Sequence, residues 1–362
     1  MIVRFEDVIT RITGNVDRYN TDLEYYVGGD QYDSSSLTIE RRGDLKKDVD
    51  ILGFKFHFPF KSGDVLLMAR NPHLRKAGQV FFDGLCSDAS YILRTKDEKR
   101  LRQNYIPIIL QSNHFWDWFE SHKTGGITFL LNWGMLKGYE FDLPDSDVQD
   151  SIMEKVWAAY KLKQSYQKLM IATDEMVKSR FIEECYSRYP KQKLGGHISV
   201  IRGVSYKPSD VRSSVDEGVA IILRSNNIAD GEINFDDLVY VVQERVQNEQ
   251  KLKPGDIVMC GSNGSIGLVG KAGLLKDNMP NTAFGAFCLG IKCKETILPE
   301  YLNTYFNTQV YRNEIESMGN GTNIINIRPD NITNLSIPIP PVEKQMAFVE
   351  VVNQADKSKY LN

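Results

Sequence analysis

Residues 145–177 read DSDVQDSIMEKVWAAYKLKQSYQKLMIATDEMV, and this stretch decides the fold. Its apolar residues recur every three or four positions, as one face of an α-helix requires. No glycine or proline follows Pro144 until Pro190, so the pattern predicts a helix of about 40 residues, roughly 60 Å long. That length exceeds what one globular domain needs, and we interpret the helix as a strut that carries partner contacts. The predicted partner-binding face consists of Ile152, Val156, Ala159, Tyr166, Leu169 and Met176.

The segments on either side of this helix repeat one another. FEDVITRITG at 5–14 aligns with LGGHISVIRG at 194–203, and KSGDVLLM at 61–68 aligns with KPGDIVMC at 253–260. Farther along, GGITF at 125–129 aligns with GTNII at 321–325, and Gln149 aligns with Gln345. Because the anchors keep their order and the offset grows only from 189 to 196 residues, we infer a duplicated domain.

The order of predicted strands and helices inside each copy is typical of an α+β fold. Short β-rich runs are followed by one helical stretch late in each copy, at Asn104–Ser121 and Pro299–Met318. The predicted strands are Val65–Met68, Gln79–Phe82, Val219–Leu223, Leu238–Val242 and Ile257–Cys260. We therefore predict two pseudo-repeated domains separated by a long central helix, with a second, shorter helix at the end. The predicted boundaries are 1–144, 145–189, 190–340 and 341–362.

Composition indicates an ordinary cytoplasmic protein. No apolar run approaches the roughly 18 residues of a membrane span, so no membrane contact is expected. The five cysteines show no CxxC spacing, which argues against a disulfide framework or a zinc site. The net charge of −3 and the pI near 6.0 are not those of a typical nucleic-acid binder. If the chain binds DNA, its positive charge must gather on one face or come from partner subunits.

Polar loops at matching places of the two copies are the candidate DNA-binding residues. Arginine and lysine suit guanine edges and phosphates, and asparagine suits adenine edges. The competing interpretation is that these loops are hairpin turns, in which asparagine and glycine are favoured because they adopt positive φ readily. The candidates are Arg70, Asn71, Arg75, Lys76, Lys123, Thr124, Arg202, Ser205, Tyr206, Lys207, Ser262, Asn263, Ser265, Asn320, Thr322 and Asn323.

Catalytic motifs are not apparent in the sequence. The run from Gly264 to Lys271 lacks the serine or threonine and the first glycine of a phosphate loop. The five histidines show no HExxH or HxH spacing, so no metal ligand and no catalytic residue is predicted.

The combined pattern resembles the specificity subunit of Type I restriction-modification systems. The residues that carry the resemblance are IPIPPVEKQ at 337–345, MVKSRFIE at 176–183, and the paired segments that begin at Gly63 and Gly255. The resemblance covers nearly the whole chain. It differs at 143–148, where LPDSDV stands in place of the family's Pro-Pro-x-Glu, although Gln149 is kept.

This resemblance implies a non-catalytic subunit that reads a bipartite, asymmetric DNA target. Each domain would read one half-site, and the helices would dock two adenine methyltransferase subunits, with translocating restriction subunits joining them. S-adenosylmethionine, Mg²⁺ and ATP would then be bound by the partner subunits, and no cofactor by this chain. Two alternatives stay open: a self-contained DNA methyltransferase or nuclease, and an assembly protein that binds protein partners. The short second helix leaves open whether the subunit is shortened or the chain continues past Asn362.

Overall fold

The computed structural model describes residues 1–71, 74–122, 131–214, 216–318 and 326–360. The chain divides into two compact units, Met1–Tyr166 and Gln167–Asn362, which we call the first and second units. The division falls inside a helix of 36 residues, Ser146–Phe181, which continues as a wider helical turn over Ile182–Tyr186. This helix confirms the predicted central helix.

The first unit is mostly strand, with its helices late in the chain. Its strands are β1 (Ile2–Arg4), β2 (Ile9–Ile12), β3 (Tyr25–Val27), β4 (Gly43–Asp44), β5 (Phe56–Phe60), β6 (Val65–Met68), β7 (Ala77–Gln79), β8 (Gly84–Ser87), β9 (Ser90–Thr95) and β10 (Glu140–Asp142). Its helices are α1 (Phe5–Val8), α2 (Leu45–Asp48), α3 (Ile106–Leu110), α4 (Asn113–His122), α5 (Trp133–Lys137) and the beginning of α6 (Ser146–Phe181).

The second unit repeats this order. Its strands are β11 (Lys191–Lys193), β12 (Ile198–Arg202), β13 (Val211–Arg212), β14 (Val219–Leu223), β15 (Ile228–Ala229), β16 (Glu232–Ile233), β17 (Val239–Val242), β18 (Ile257–Cys260), β19 (Ala272–Leu274), β20 (Thr282–Phe284), β21 (Cys288–Cys293) and β22 (Ser336–Pro338). Its helices are the end of α6, α7 (Pro299–Phe306), α8 (Gln309–Ser317), α9 (Pro329–Thr333) and α10 (Val342–Tyr360).

Each unit contains the same principal sheet. The strand order is β2-β9-β6-β7 in the first unit and β12-β21-β18-β19 in the second, where β16 and β15 extend the edge. A second sheet has the order β4-β3-β8-β5 in the first unit and β13-β17-β14-β20 in the second. Each second sheet includes one parallel pair, β3 with β8 and β14 with β20. The duplication seen in the sequence is therefore a duplication of the topology of the principal sheet, whereas the parallel pair is central in one second sheet and at the edge of the other.

A two-stranded clasp closes each unit next to a helix. β1 pairs with β10 directly before α6, and β11 pairs with β22 directly before α10. The strand that opens each copy thus lies beside the strand that closes it, which fixes where each helix begins.

The cores of the two units form on the face of the principal sheet that the helices cover. In the first unit Phe115 and Phe119 of α4 are buried against β6 and β9, and Ile152 of α6 packs on this cluster. In the second unit the end of α6 is itself core, because Phe181 is fully buried beside Tyr301 and Phe348. The central helix is therefore part of both hydrophobic cores.

The predicted fold class is confirmed, with corrections in detail. Strands β6, β14 and β18 have the predicted bounds, and β17 begins one residue later than predicted. The predicted strand Gln79–Phe82 is wrong, because the strand ends at Gln79. Val80 bonds to the turn before β6, donating its N–H to the Asp64 carbonyl and accepting the N–H of Gly63, and Phe81 is exposed. The two predicted helical stretches are each broken into two helices, α3 with α4 and α7 with α8.

Candidate nucleic-acid interface

In the second unit, three segments that are distant in sequence meet at one end of the principal sheet. Val204 forms a bridge with Gly285 and donates its N–H to the Phe284 carbonyl at 2.7 Å. The carbonyl of Phe287 accepts hydrogen bonds from the N–H groups of Gly261 and Ser262, at 2.8 and 3.0 Å. The predicted segment 202–207 and the predicted loop 262–265 therefore both lie against the turn between β20 and β21.

The close approach of these segments depends on glycine at position 203. A Cβ atom added to Gly203 would lie 2.0 Å from the Gly285 carbonyl oxygen, well inside van der Waals contact. The loop itself is held by its own polar groups, since Asn263 donates to the Ser225 hydroxyl at 3.2 Å and accepts from the Ser265 N–H at 2.9 Å.

Asp210 anchors the segment 202–207 from its far end. Its carboxylate accepts the N–H of Lys207 at 2.8 Å and pairs with Arg245 at 3.0 Å. Both contacts favour the charged form and hold the pKa of Asp210 below its usual range, with the Lys207 N–H contributing most.

The first unit carries the same backbone arrangement at matching positions. The N–H of Ala69 donates to the Ala89 carbonyl at 2.7 Å, as Gly261 donates to Phe287. The N–H of Leu131 donates to the Ala69 carbonyl at 2.8 Å, as Ile327 donates to Gly261. The predicted loop that begins at Arg70 thus occupies the place that the loop at Ser262 occupies in the second unit.

The predicted side chains differ in how accessible they are. Arg70, Asn71, Arg202, Ser205, Lys207 and Ser265 are exposed, and Ser262 and Asn263 are half-buried. Arg75 and Lys76 are half-buried and bonded within the unit, to the Asn113 side chain and the Gly29 carbonyl.

The remaining DNA-binding candidates either pack against a hydrophobic cluster or lie outside the residues that the structure describes. Tyr206 packs against the cluster of Ile222 and Val241, so part of its ring is core. Lys123, Thr124, Asn320, Thr322 and Asn323 lie outside the residues that the structure describes. Asn71 and Arg75 adopt left-handed backbone angles, with φ of 52° and 47°, a conformation that asparagine accepts more readily than arginine.

A buried glutamine joins each helix to its unit. Gln149 donates to the carbonyls of Arg100 and Pro144 at 2.9 and 2.8 Å, and accepts the N–H of Arg102 at 3.0 Å. Gln345 repeats this pattern: it donates to the carbonyls of Thr296 and Pro340 at 3.1 and 2.8 Å, and accepts the N–H of Leu298 at 2.8 Å. Both glutamines are fully buried. The repeat found in the sequence at this position is thus a matching set of three hydrogen bonds.

The predicted partner-binding face of α6 is only partly exposed. Ile152 and Val156 are half-buried, with Ile152 packed on the first unit's core. Tyr166, Leu169 and Met176 are 41%, 58% and 47% exposed, and Ala159 is exposed. With Leu162, which is 57% exposed, these residues form a stripe with spacings of three, four, three and seven residues, which suits packing against another helix. We call Leu162, Tyr166, Leu169 and Met176 the exposed stripe.

Sequence reasoning missed the side chains that fasten α6 to the first unit. The Trp157 indole donates to the Asn104 carbonyl at 3.0 Å. The Tyr160 hydroxyl lies 2.6 Å from the Ser36 hydroxyl and 2.8 Å from that of Thr38. Their helical spacing is visible in the sequence, but the polar partners come from distant segments and carry no local signal.

No cluster of three or more histidine, cysteine or acidic side chains that could hold a metal ion occurs in the ranges the structure describes. Burial raises the pKa of Cys185 to about 11 and those of Cys86, Cys288 and Cys293 to about 12. Those thiols stay protonated near neutral pH and are poor nucleophiles. In the same ranges, no helix is long and apolar enough to cross a bilayer.

Comparison with known proteins identifies a domain in the second half of the chain. Residues 212–361 match the family model described as Type I restriction modification DNA specificity domain. The chain is 35% identical over 166 residues to the Type I restriction enzyme StySPI specificity subunit of Salmonella potsdam. It is 34% identical over 166 residues to the EcoKI specificity subunit of Escherichia coli strain K12. Each match covers 44% of this chain and only 35% of the relative.

Two solved structures share the fold. The S subunit of a Type I restriction-modification system from M. genitalium matches with a TM-score of 0.55 at 10% identity. A chain from a study of assembly and conformational transition of the type I R-M system matches with a TM-score of 0.52 at 16% identity. Each covers 99% of this chain and 90% of the other. The comparisons confirm the predicted resemblance to Type I specificity subunits.

Proposed function

We propose that this chain, which carries a Type I restriction-modification DNA specificity domain in its second half, recognises a bipartite, asymmetric DNA target for a separate adenine methyltransferase. One observation carries the proposal. The two units share the strand order of the principal sheet, the two-stranded clasp and the glutamine contacts. They nevertheless present different residues at the matching loops, Arg70-Asn71 in one and Ser262-Asn263 in the other. A framework shared by the two units, with different contact residues in each, suits recognition of two different half-sites.

Local charge supports DNA as the ligand despite the net charge of −3. Segments 202–207, 261–265, 284–288 and 326–328 contain Arg202, Lys207 and Arg328, all exposed, and no aspartate or glutamate. A bridge between Ser262 and Asn326 brings the last of these segments to the same end of the sheet. Positive side chains beside polar loops are suited to phosphates and base edges together.

The chain acts by positioning and contributes no catalytic residue. Its exposed stripe docks the adenine methyltransferase subunits, two in number, and translocating restriction subunits complete the assembly. S-adenosylmethionine, Mg²⁺ and ATP are bound by those partners, in the cytoplasm.

Mapping of methylated adenines tests this proposal. The chain is co-expressed with the methyltransferase of its own system, and the genomic DNA of the host is sequenced for N6-methyladenine. We expect a two-part motif with an unspecified gap, and no motif when the methyltransferase is expressed alone. A methylated motif without the chain, or methyltransferase activity from the purified chain alone, would contradict the proposal. Complex formation without any sequence preference would favour an assembly protein.

A further inference from the structure

Phe287 is a large apolar side chain that the second unit leaves in solvent. It lies in the turn between β20 and β21 and is 71% exposed. Its ring belongs to none of the hydrophobic clusters formed by the described residues. The backbone around it is nonetheless fixed, because its carbonyl accepts from Gly261 and Ser262 and the next N–H, of Cys288, donates to Gly285 at 2.8 Å. The ring is therefore held in solvent on a rigid turn.

The fold does not require an aromatic ring at this position. Ala89 holds the matching place in the first unit, where its carbonyl accepts the Ala69 N–H at 2.7 Å, against 2.8 Å for Gly261 and Phe287. The matching hydrogen bond thus forms at alanine. A single exposed phenylalanine is ordinary, but Phe287 lies where the candidate segments 202–207 and 262–265 meet, and this position indicates contact with a ligand.

The surroundings of Phe287 favour DNA over a protein partner. The turn lies between segment 202–207 and loop 261–265, which carry hydroxyl, amide and basic groups and no carboxylate. Base pairs present polar edges together with apolar surface, namely the thymine methyl group and the faces of the bases. An apolar ring among hydrogen-bonding groups and positive charge matches that mixture.

We propose that Phe287 is a specificity-determining residue whose ring lies against the apolar surface of a base in the half-site read by the second unit. This inference rests on the proposed function and extends it to a residue that the sequence patterns did not single out. Loss of one such contact at a base edge is expected to reduce the preference for that base about tenfold.

The test compares methylation motifs of complexes that contain the wild-type chain, Phe287→Ala or Phe287→Gln. We expect both variants to lose about tenfold in preference at one or two positions of one half-site, with the other half-site and the gap unchanged. Phe81→Ala is the matched control, because Phe81 is 60% exposed but belongs to the first unit. Phe81→Ala should leave the base preferences unchanged in the half-site read by the second unit.

The outcomes separate this inference from the proposed function. If the wild-type complex produces no two-part motif, the proposed function fails. If the wild type produces the motif and both variants keep every base preference, only the assignment of Phe287 is overturned. Loss of methyltransferase co-purification with unchanged base preference would also overturn it, since the ring would then contact protein. A Phe287→Leu variant tests the nature of the contact. Retained preference indicates that any apolar side chain suffices, as contact with a thymine methyl group requires, and lost preference indicates that the flat aromatic ring itself is needed.

Discussion

Replacing Gln149 at the start of α6, or Gln345 at the start of α10, should destabilise the packing of that helix on its unit. Gln149→Ala removes three hydrogen bonds and leaves the N–H of Arg102 and two carbonyls without that partner. Each lost bond costs about 1 kcal/mol net, and more where a buried group stays unsatisfied. We therefore expect a loss of about 3–5 kcal/mol in the free energy of unfolding. Gln345→Ala should lose a similar amount, because its three bonds match.

Urea denaturation followed by circular dichroism measures this loss. Hydrogen exchange at the amides of Arg102 and Leu298 reports it locally, because those N–H groups lose their acceptor and should exchange faster. Gln167→Ala is the control, since Gln167 is exposed on the same central helix, and it should change stability by less than about 0.5 kcal/mol. A loss below about 1 kcal/mol for Gln149→Ala and Gln345→Ala, with exchange unchanged, would refute the reasoning.

Three further changes test other parts of the account. Phe181→Ala empties a fully buried site among aromatic rings and should cost about 3–5 kcal/mol in urea denaturation, whereas Leu162→Ala, at an exposed position, should cost far less. Leu169→Glu should leave the Tm unchanged and abolish co-purification of the methyltransferase; retained co-purification would contradict docking on the exposed stripe. Asp210→Asn should make the fold less sensitive to acid. In the wild type, the depressed pKa of Asp210 stabilises the fold above the unfolded value of about 3.9, and this contribution is lost as the pH falls further. If the unfolding midpoint depends on acidic pH equally in both proteins, this role of Asp210 is contradicted.

The sequence predicted those features that depend on local pattern. The central helix follows from periodic apolar residues without glycine or proline, and the strand Ile257–Cys260 follows from four consecutive apolar residues after a polar turn. The repeat anchor at Gln149 and Gln345 was predicted as well, although its three hydrogen bonds could not be.

Features that depend on long-range contacts were not predictable. The run 79–82 has the pattern of a strand, but the backbone of Val80 bonds to Gly63 and Asp64 in the turn before β6, and the strand ends at Gln79. Phe287 sits in an apolar run that resembles strand interior, and only the tertiary arrangement exposes it. The lysine and arginine candidates Lys76 and Arg75 looked free in the sequence, yet the fold engages both in internal hydrogen bonds.

The central claim is that each unit recognises its own half-site. Its most direct test is to exchange one unit. Residues 190–340 are replaced by the corresponding segment of a chain with a different target, and methylated adenines are mapped for the parent and the hybrid complexes. We predict that one half of the motif changes to the donor's while the other half and the gap stay as they were. A motif that changes in both halves, or in neither, would contradict the account.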